Sequence, residues 1–273
     1  MFICRDQNTG AIRCPRYDPG NNVRRPGLII ALLADVHSNL EALRACLKHA
    51  AGRGAERYAF LGDLVGYGAD PAAVVDIVAD HASRGAIVVK GNHEAAVTQG
   101  ARSLNDAAHE AIEWTRNALS PAQREFLASL PLIIRDGSMC FVHASAAAPE
   151  KWEYIDNNTA ARVSIEESGA NYVFSGHVHD QMLYFLTPVG KIAPFRPISG
   201  GVIPVPSHRR WLAIAGSAGQ PRDGKPAAAY AIFDDATEQI TFYRVAYDHL
   251  AAARKVREAG LPESLALRIE QAV

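Results

Sequence analysis

The sequence predicts an α/β protein with largely parallel strands in a layered sandwich, and three observations carry that reading. Short apolar runs alternate with amphipathic helical patterns from Leu28 to Lys90, the rhythm of parallel pairing. Five such runs end in polar residues of metal-binding type: Asp35-x-His37, Gly62-Asp63, Gly91-Asn92-His93-Glu94, His143 and Gly176-His177-Val178-His179. No internal repeat or linker divides residues 28–273, so they read as one domain behind an irregular N-terminal extension, residues 1–27. A strand that ends in such a side chain delivers it to the C-terminal edge of the sheet, where open α/β sheets place their sites.

The elements follow in order. Leu28 to Ala34 is the first strand, and Ser38 with Glu41 has capping-box spacing ahead of a helix patterned by Leu40, Leu43 and Leu47. Tyr58 to Leu61 is the second strand. The glycine-rich loop Gly62 to Asp70 follows, with Pro71 at the first position of a helix that runs to about His81. A third strand, Ala86 to Lys90, leads to Gly91. Asn105 to Leu119 and Pro121 to Leu130 read as helices, the second capped by Ser120, and because they interrupt the strand rhythm they are expected to cap one end of the site. Ile133-Ile134 and Met139 to Val142 flank the turn pair Asp136-Gly137. Thr159 to Ser168 is a helix, Tyr172 to Phe174 a strand, and Met182 to Leu186 pairs with Gly190 to Ala193 as a hairpin. Pro194 to Pro206 reads as loop, and the strand Trp211 to Ala215 leads into the turn-rich Gly216 to Gly224. Tyr230 to Phe233 and Gln239 to Val245 form another hairpin; helices near Asp248 to Ala259 and Pro262 to Ala272, parted by Gly260, close the chain.

Composition narrows the function classes. With 273 residues, 48% of them hydrophobic, the chain can bury a sizeable core. A formal net charge of −1 with mixed signs throughout offers no basic stripe for an extended nucleic-acid surface. The longest apolar run, about Leu28 to Ala34, is far short of the roughly 20 residues that cross a bilayer. With no signal-peptide core after Met1, a soluble, cytoplasmic protein is expected. Cys46 in a helical pattern and Cys140 in a strand read as buried thiols, and Cys4 and Cys14 lack zinc-knuckle spacing.

The strand-end residues supply two carboxylates, one amide and five imidazoles: Asp35, His37, Asp63, Asn92, His93, His143, His177 and His179. One metal ion needs only three or four protein ligands, so this set suffices for two divalent ions, with Asp35 or Asp63 able to bridge them. Nitrogen and oxygen donors without thiolate suit Mn, Fe, Zn, Ni or Co. Two such ions can activate a bridging hydroxide for an in-line phosphoryl displacement. Taken singly, each residue has an ordinary alternative as a turn former, a cap or a satisfied polar group. Five such residues or groups at five strand ends, in a chain with ten histidines, favour the metal reading. The remaining histidines, His49, His81, His109, His208 and His249, fall in helical or loop patterns and read as packing or surface residues.

These motifs together resemble the calcineurin-like metallophosphoesterase superfamily. The resemblance covers residues 28 to about 180, and Gly216 to Gly224 with Arg244 to Leu267 are similar to its small bacterial and archaeal phosphoesterase, diadenosine-tetraphosphatase-like branch. It implies a four-layer α/β/β/α sandwich with a helical cap insertion, its second sheet supplied by the hairpins after residue 180. It implies one metal held by Asp35, His37, Asp63 and His179, a second held by Asp63, Asn92, His143 and His177, and Asp63 as the bridge. It gives His93 the role of protonating the departing alkoxide, a task an imidazole performs near neutral pH.

One departure bears on substrate. Protein serine/threonine phosphatases of the superfamily carry Asp-Arg after the second motif, where this chain has Gly66-Tyr67-Gly68, so a phosphate clamp is missing. Arg222 or Lys90 is the replacement cation, with Arg222 in its glycine-rich loop, beside Asn92, taken as the substrate-binding candidate. Tyr67 either stacks on a base or fills the pocket wall. The expected activity is hydrolysis of a phosphomonoester, a phosphodiester or a nucleotide phosphoanhydride in a small phosphorylated substrate. The rival readings are a non-catalytic metal-binding scaffold of the same fold, which metal content tests, and a nuclease, which would need a basic groove.

Overall fold

The structure is a computed structural model that describes residues 27–100 and 106–273, so all but Gly27 of the expected extension lies outside it, as do Cys4 and Cys14. The expected alternation is present as β1 (Ile29–Leu33), α1 (Leu40–Gly52), β2 (Arg57–Phe60), α2 (Pro71–Ser83) and β3 (Ile87–Val88). Three helices follow, α3 (Asn92–Gln99), α4 (Asp106–Ala118) and α5 (Pro121–Ser129). Next come β4 (Ile133–Asp136), β5 (Met139–Val142), α6 (Asn158–Ser168), β6 (Tyr172–Ser175), β7 (Gln181–Leu186) and β8 (Ile192–Phe195). The described chain ends with β9 (Val202–Pro204), β10 (Arg210–Ala215), β11 (Ala228–Asp234), β12 (Gln239–Val245), α7 (His249–Glu258) and α8 (Glu263–Gln271).

Two local expectations are corrected. The cap of α1 is Asn39, whose side chain accepts from the Ala42 amide at 3.1 Å, and not Ser38. Ser38 sits in the left-handed region at φ 54, its amide donating to Leu64 O at 2.9 Å, so its backbone serves the neighbouring loop. The stretch from Asn92 also opens a helix, α3, and Val202–Pro204 forms a strand inside the expected loop 194–206. Ser120 does cap α5, exchanging hydrogen bonds with Gln123.

The strands form two six-stranded mixed sheets, ordered β3-β2-β1-β11-β12-β9 and β4-β5-β6-β10-β7-β8. In the first, β1, β2 and β3 are parallel, and β11 runs antiparallel to β1. In the second, β5, β6 and β10 are parallel. The second sheet therefore begins with β4 and β5, ahead of residue 180, and the late hairpin β11–β12 joins the first sheet. Pairing of β11 with β1 is a choice between distant partners that local pattern does not encode.

Alternation along each strand sets the layers. Ile30 and Leu32 of β1 pack in the core between the sheets with Phe141, Phe174 and Phe233, while Ala31 and Leu33 face α1, α2 and α5 on the outer side. The second sheet turns Cys140, Val173 and Leu212 toward Ala161 and Ile165 of α6. The result is an α/β/β/α sandwich. Phe174 lies 5.3 Å from Phe141 within its sheet and 5.2 Å from Phe233 across the interface, each such ring contributing roughly 1.5–3 kcal/mol by burial. These contacts hold the two parallel triplets face to face. Leu127 of α5 belongs to the outer helical layer, whereas Ala108 and Ala111 of α4 pack with α7, α8 and Tyr67 at the end of the sheets where the polar residues gather.

Candidate metal centre

The site grows from five strand ends, and after three of them, β1, β2 and β6, the backbone turns sharply. Asp35 (φ 52), His37 (φ 47), Asp63 (φ 51), His177 (φ 68) and His179 (φ 70) all occupy the left-handed region, at a cost on the order of 1–3 kcal/mol each. Loop-to-loop hydrogen bonds offset this strain. The Asp35 amide donates to Gly62 O at 3.1 Å and the His37 amide to Asp63 O at 2.9 Å, so the loop after β1 rides on the loop after β2. Behind both, the buried Glu94 carboxylate accepts from four amides: Gly91 (2.7 Å), Asp63 (2.8 Å), Leu64 (2.8 Å) and Val65 (3.2 Å). Gly62 is required at φ 87, since a Cβ there would lie 2.8 Å from both His143 Nδ1 and the Gly91 nitrogen.

This scaffold brings the expected donors together. Asp35, His37 and His179 place their donor atoms within 4.8 Å of one another, as do His37, Asp63 and His93, and Asp63, His143 and His177. Asp63 is common to two of these groups. Its Oδ1 accepts from the His93 amide at 2.9 Å, which leaves Oδ2 facing His143 Nε2 at 3.3 Å, His93 Nε2 at 3.8 Å and His37 Nε2 at 3.9 Å. Asp35 accepts from the His177 amide through both oxygens, at 3.1 and 3.0 Å, and its Oδ1 lies 3.6 Å from His179 Nε2. Asn92 turns Oδ1 to His143 Nε2 at 3.1 Å.

The hydrogen-bond directions show what the donor set suits. His37 Nδ1 faces Val65 O at 3.3 Å and His179 Nδ1 faces Gln220 O at 2.6 Å. Both nitrogens must donate, so the two Nε2 atoms turn lone pairs toward each other across 3.2 Å. His143 Nδ1 likewise donates to Leu61 O at 2.8 Å, while its Nε2 meets three further acceptor-type atoms: Asp63 Oδ2, Asn92 Oδ1 and His177 Nδ1. Such a ring of buried acceptors is completed by a proton or a cation, and carbonyl-anchored imidazoles are the usual posture of metal-ligating histidines. The donor set therefore fits a metal centre.

Electrostatics agrees. Burial opposes the charge on Asp63, yet the imidazoles of His143 and His93 hold its carboxyl well below the usual carboxylate range. Burial also pulls His143 down, but the charge and hydrogen bond of Asp63 push it up to about 9. His177 is lowered to about 3 by burial and by the charge of His143, and His37 and His179 fall well below the ordinary imidazole value, chiefly by burial. Burial pushes Asp35 up to about 7. Burial thus disfavours the charged form of His37, His93, His177 and His179, while the Asp63 carboxylate favours it on His143.

Of the two cations considered for phosphate, Lys90 is committed elsewhere, its ammonium donating to Ala128 O at the end of α5 at 2.7 Å. Arg222 is exposed, donates to the Gln220 side chain at 3.1 Å, and sits near enough that its charge depresses His37, His93 and His179. Tyr67 is a wall residue, buried with its ring 4.6 Å from His37 and 4.5 Å from His93. Sequence reasoning assigned no role to Glu94, although its place three residues after Gly91 is a capping signal. It also passed over Tyr154, whose ring stacks on His177 at 4.1 Å, because an isolated tyrosine in a loop carries no pattern.

Two facing mixed sheets with donors gathered at the ends of their parallel strands define a metallophosphoesterase fold. Residues 28–238 match the calcineurin-like phosphoesterase superfamily domain. A metallophosphoesterase of Sphaerobacter thermophilus is 37% identical, and its crystal structure aligns with a TM-score of 0.80 over 91% of this chain and 100% of that one. An uncharacterised protein of Methanocaldococcus jannaschii is 36% identical over 248 residues, 88% of this chain and 97% of its own length. A hypothetical protein of Pyrococcus horikoshii, 19% identical, shares the fold at a TM-score of 0.75 over 90% and 99% of the two chains. The chain belongs to the calcineurin-like phosphoesterase superfamily and is a metal-dependent phosphoester hydrolase.

Proposed function

We propose that the chain is a two-metal phosphoesterase that hydrolyses phosphomonoesters, phosphodiesters or nucleotide phosphoanhydrides in a small phosphorylated substrate. The observation that most supports this is the Asp63 carboxylate, shared between imidazoles from both sheets. Asp35, His37, Asp63 and His179 would hold one divalent ion and Asp63, Asn92, His143 and His177 the other, with Mn, Fe, Zn, Ni or Co all compatible. Bound there, two such ions supply an activated water and neutralise charge on the phosphoryl oxygens.

The chain does the rest. Asp63 is held in one orientation by the His93 amide, and Asn92, with its oxygen turned to His143, keeps its amide donors for a phosphoryl oxygen. His93 is the acid for the leaving alkoxide: among the described residues its Nδ1 has no hydrogen-bond partner, Tyr67 packs against its ring, and burial lowers its pKa, so a protonated His93 is a strong donor. Arg222 would meet the outer phosphate oxygens. The free, buried thiols Cys46 and Cys140 suit a reducing, cytoplasmic setting.

Elemental analysis of purified protein and assays with para-nitrophenyl phosphate and its bis ester test the reading together. Two metal equivalents and hydrolysis of at least one ester are expected, with His93→Ala lowering kcat by roughly 10²–10⁴-fold while the metal stays. Protein that holds fewer than two equivalents and cleaves neither ester would instead be the scaffold form of this fold.

A further inference from the structure

We propose that Tyr154 and the cavity beside it form a subsite for the nucleoside part of the substrate, an inference that rests on the phosphoesterase reading and narrows its substrate class. The phenol ring of Tyr154 stacks on the His177 imidazole at 4.1 Å and 22°, and 54% of the residue remains exposed. His177 is itself one of the donors, its Nδ1 3.1 Å from His143 Nε2, so this ring lies directly against the donor cluster. A phosphate seated at the donors would lie close to Tyr154, with its ester group free to turn toward that ring. A cavity of about 380 Å³ opens there, lined among others by Ser145, Glu153, Tyr154, Asn157, Thr159 and Val163. That volume is at the small end of ligand pockets, suited to one nucleoside-sized group.

The lining chooses the chemistry. Among the described residues no lysine or arginine lines the cavity and one carboxylate, Glu153, does, so a second phosphate is disfavoured there. Hydroxyl and carboxylate groups on Ser145, Thr159 and Glu153 match the hydroxyls of a ribose and the amino group of a base, while Asn157 is engaged as the cap of α6. An aromatic ring offers any base a face for stacking, and Val163, 38% exposed, adds an apolar side. Further phosphates would extend the other way, toward Arg222.

The test pairs a binding readout with a selectivity ratio. Saturation-transfer NMR should show the base protons of free adenosine receiving magnetisation from the wild type and from Tyr154→Phe, but not from Tyr154→Ala. The ratio of kcat/KM for adenosine monophosphate to that for glycerol 3-phosphate should fall roughly tenfold or more in Tyr154→Ala and stay near the wild-type ratio in Tyr154→Phe. Ala160→Phe, which fills the cavity from α6, should lower the same ratio. No adenosine signal from the wild type, or equal loss on both esters in Tyr154→Ala, overturns the subsite. A wild type that binds adenosine through Tyr154 yet cleaves no phosphate ester upholds the subsite and overturns the phosphoesterase reading instead.

Discussion

The two sheets contribute unlike chemistry to one centre. From the first, β1, β2 and β3 deliver both carboxylates, the Asn92 amide, His37 and His93; from the second, β5 and β6 deliver imidazoles alone, His143, His177 and His179. The first sheet's donors lie on loops lashed to one another and to Glu94, whereas two of the second sheet's histidines are tied across to the first sheet, His143 through Leu61 O and the His177 amide through both Asp35 oxygens, and His179 is held by Gln220 O. The contrast teaches that both carboxylates come from the sheet whose loops are lashed together, and that the opposite sheet meets them with imidazoles alone.

Asp63→Asn breaks the contrast most directly, because it keeps the shape and removes the shared charge. A fall of about 10³-fold in kcat/KM and loss of tightly held metal are expected, read by ester hydrolysis and elemental analysis. Retention of both would end the case for a shared vertex. Glu94→Gln probes the bracing. The new amide turns a donor toward amides that need an acceptor, so unfolding stability should drop by about 2 kcal/mol or more, a fall in Tm of roughly 4–8 °C in a scanning-calorimetry trace. An unchanged Tm would mean the loops stand without it.

The second sheet is sharpened by pH. His143, pushed up to about 9, holds a proton at neutral pH that a cation must displace. Metal affinity should therefore rise about tenfold per pH unit between 7 and 9 and level off above, with proton release seen by titration calorimetry in buffers of different ionisation enthalpy. The slope should steepen below pH 7, where Asp35, pushed up to about 7, also begins to hold a proton. A flat profile would place the proton elsewhere. The smallest effect belongs to Arg222→Ala, an exposed cation outside both donor sets, for which a severalfold rise in KM with little change in kcat is expected.

Much of this centre was legible in the sequence because strand ends announce themselves locally: an apolar run, then Asp, Asn or His, preceded by a glycine at three of the five ends. Asp35, His37, Asp63, Asn92, His143, His177 and His179 are read that way, and the fold gathers their donor atoms into one cluster. What escaped depended on distant partners. The side of the barrier between sheets on which β11 and β12 fall is decided by pairing with β1, the cap of α1 passed to Asn39 because Ser38 was claimed by Leu64, and Tyr154 matters only once folding sets it on His177.

The antiparallel pairing of β1 with β11 has a consequence for biosynthesis. Ile29 lies opposite Asp234, so the strand that leads to Asp35 leaves the ribosome long before its neighbour exists. Until then one flank of Ile29–Leu33 presents open amides and carbonyls on an apolar ribbon, a template for pairing with another nascent chain. Expression at lower temperature, or with chaperones that shield this flank, should raise the soluble yield of the full chain, and fragments that stop short of β11 should aggregate.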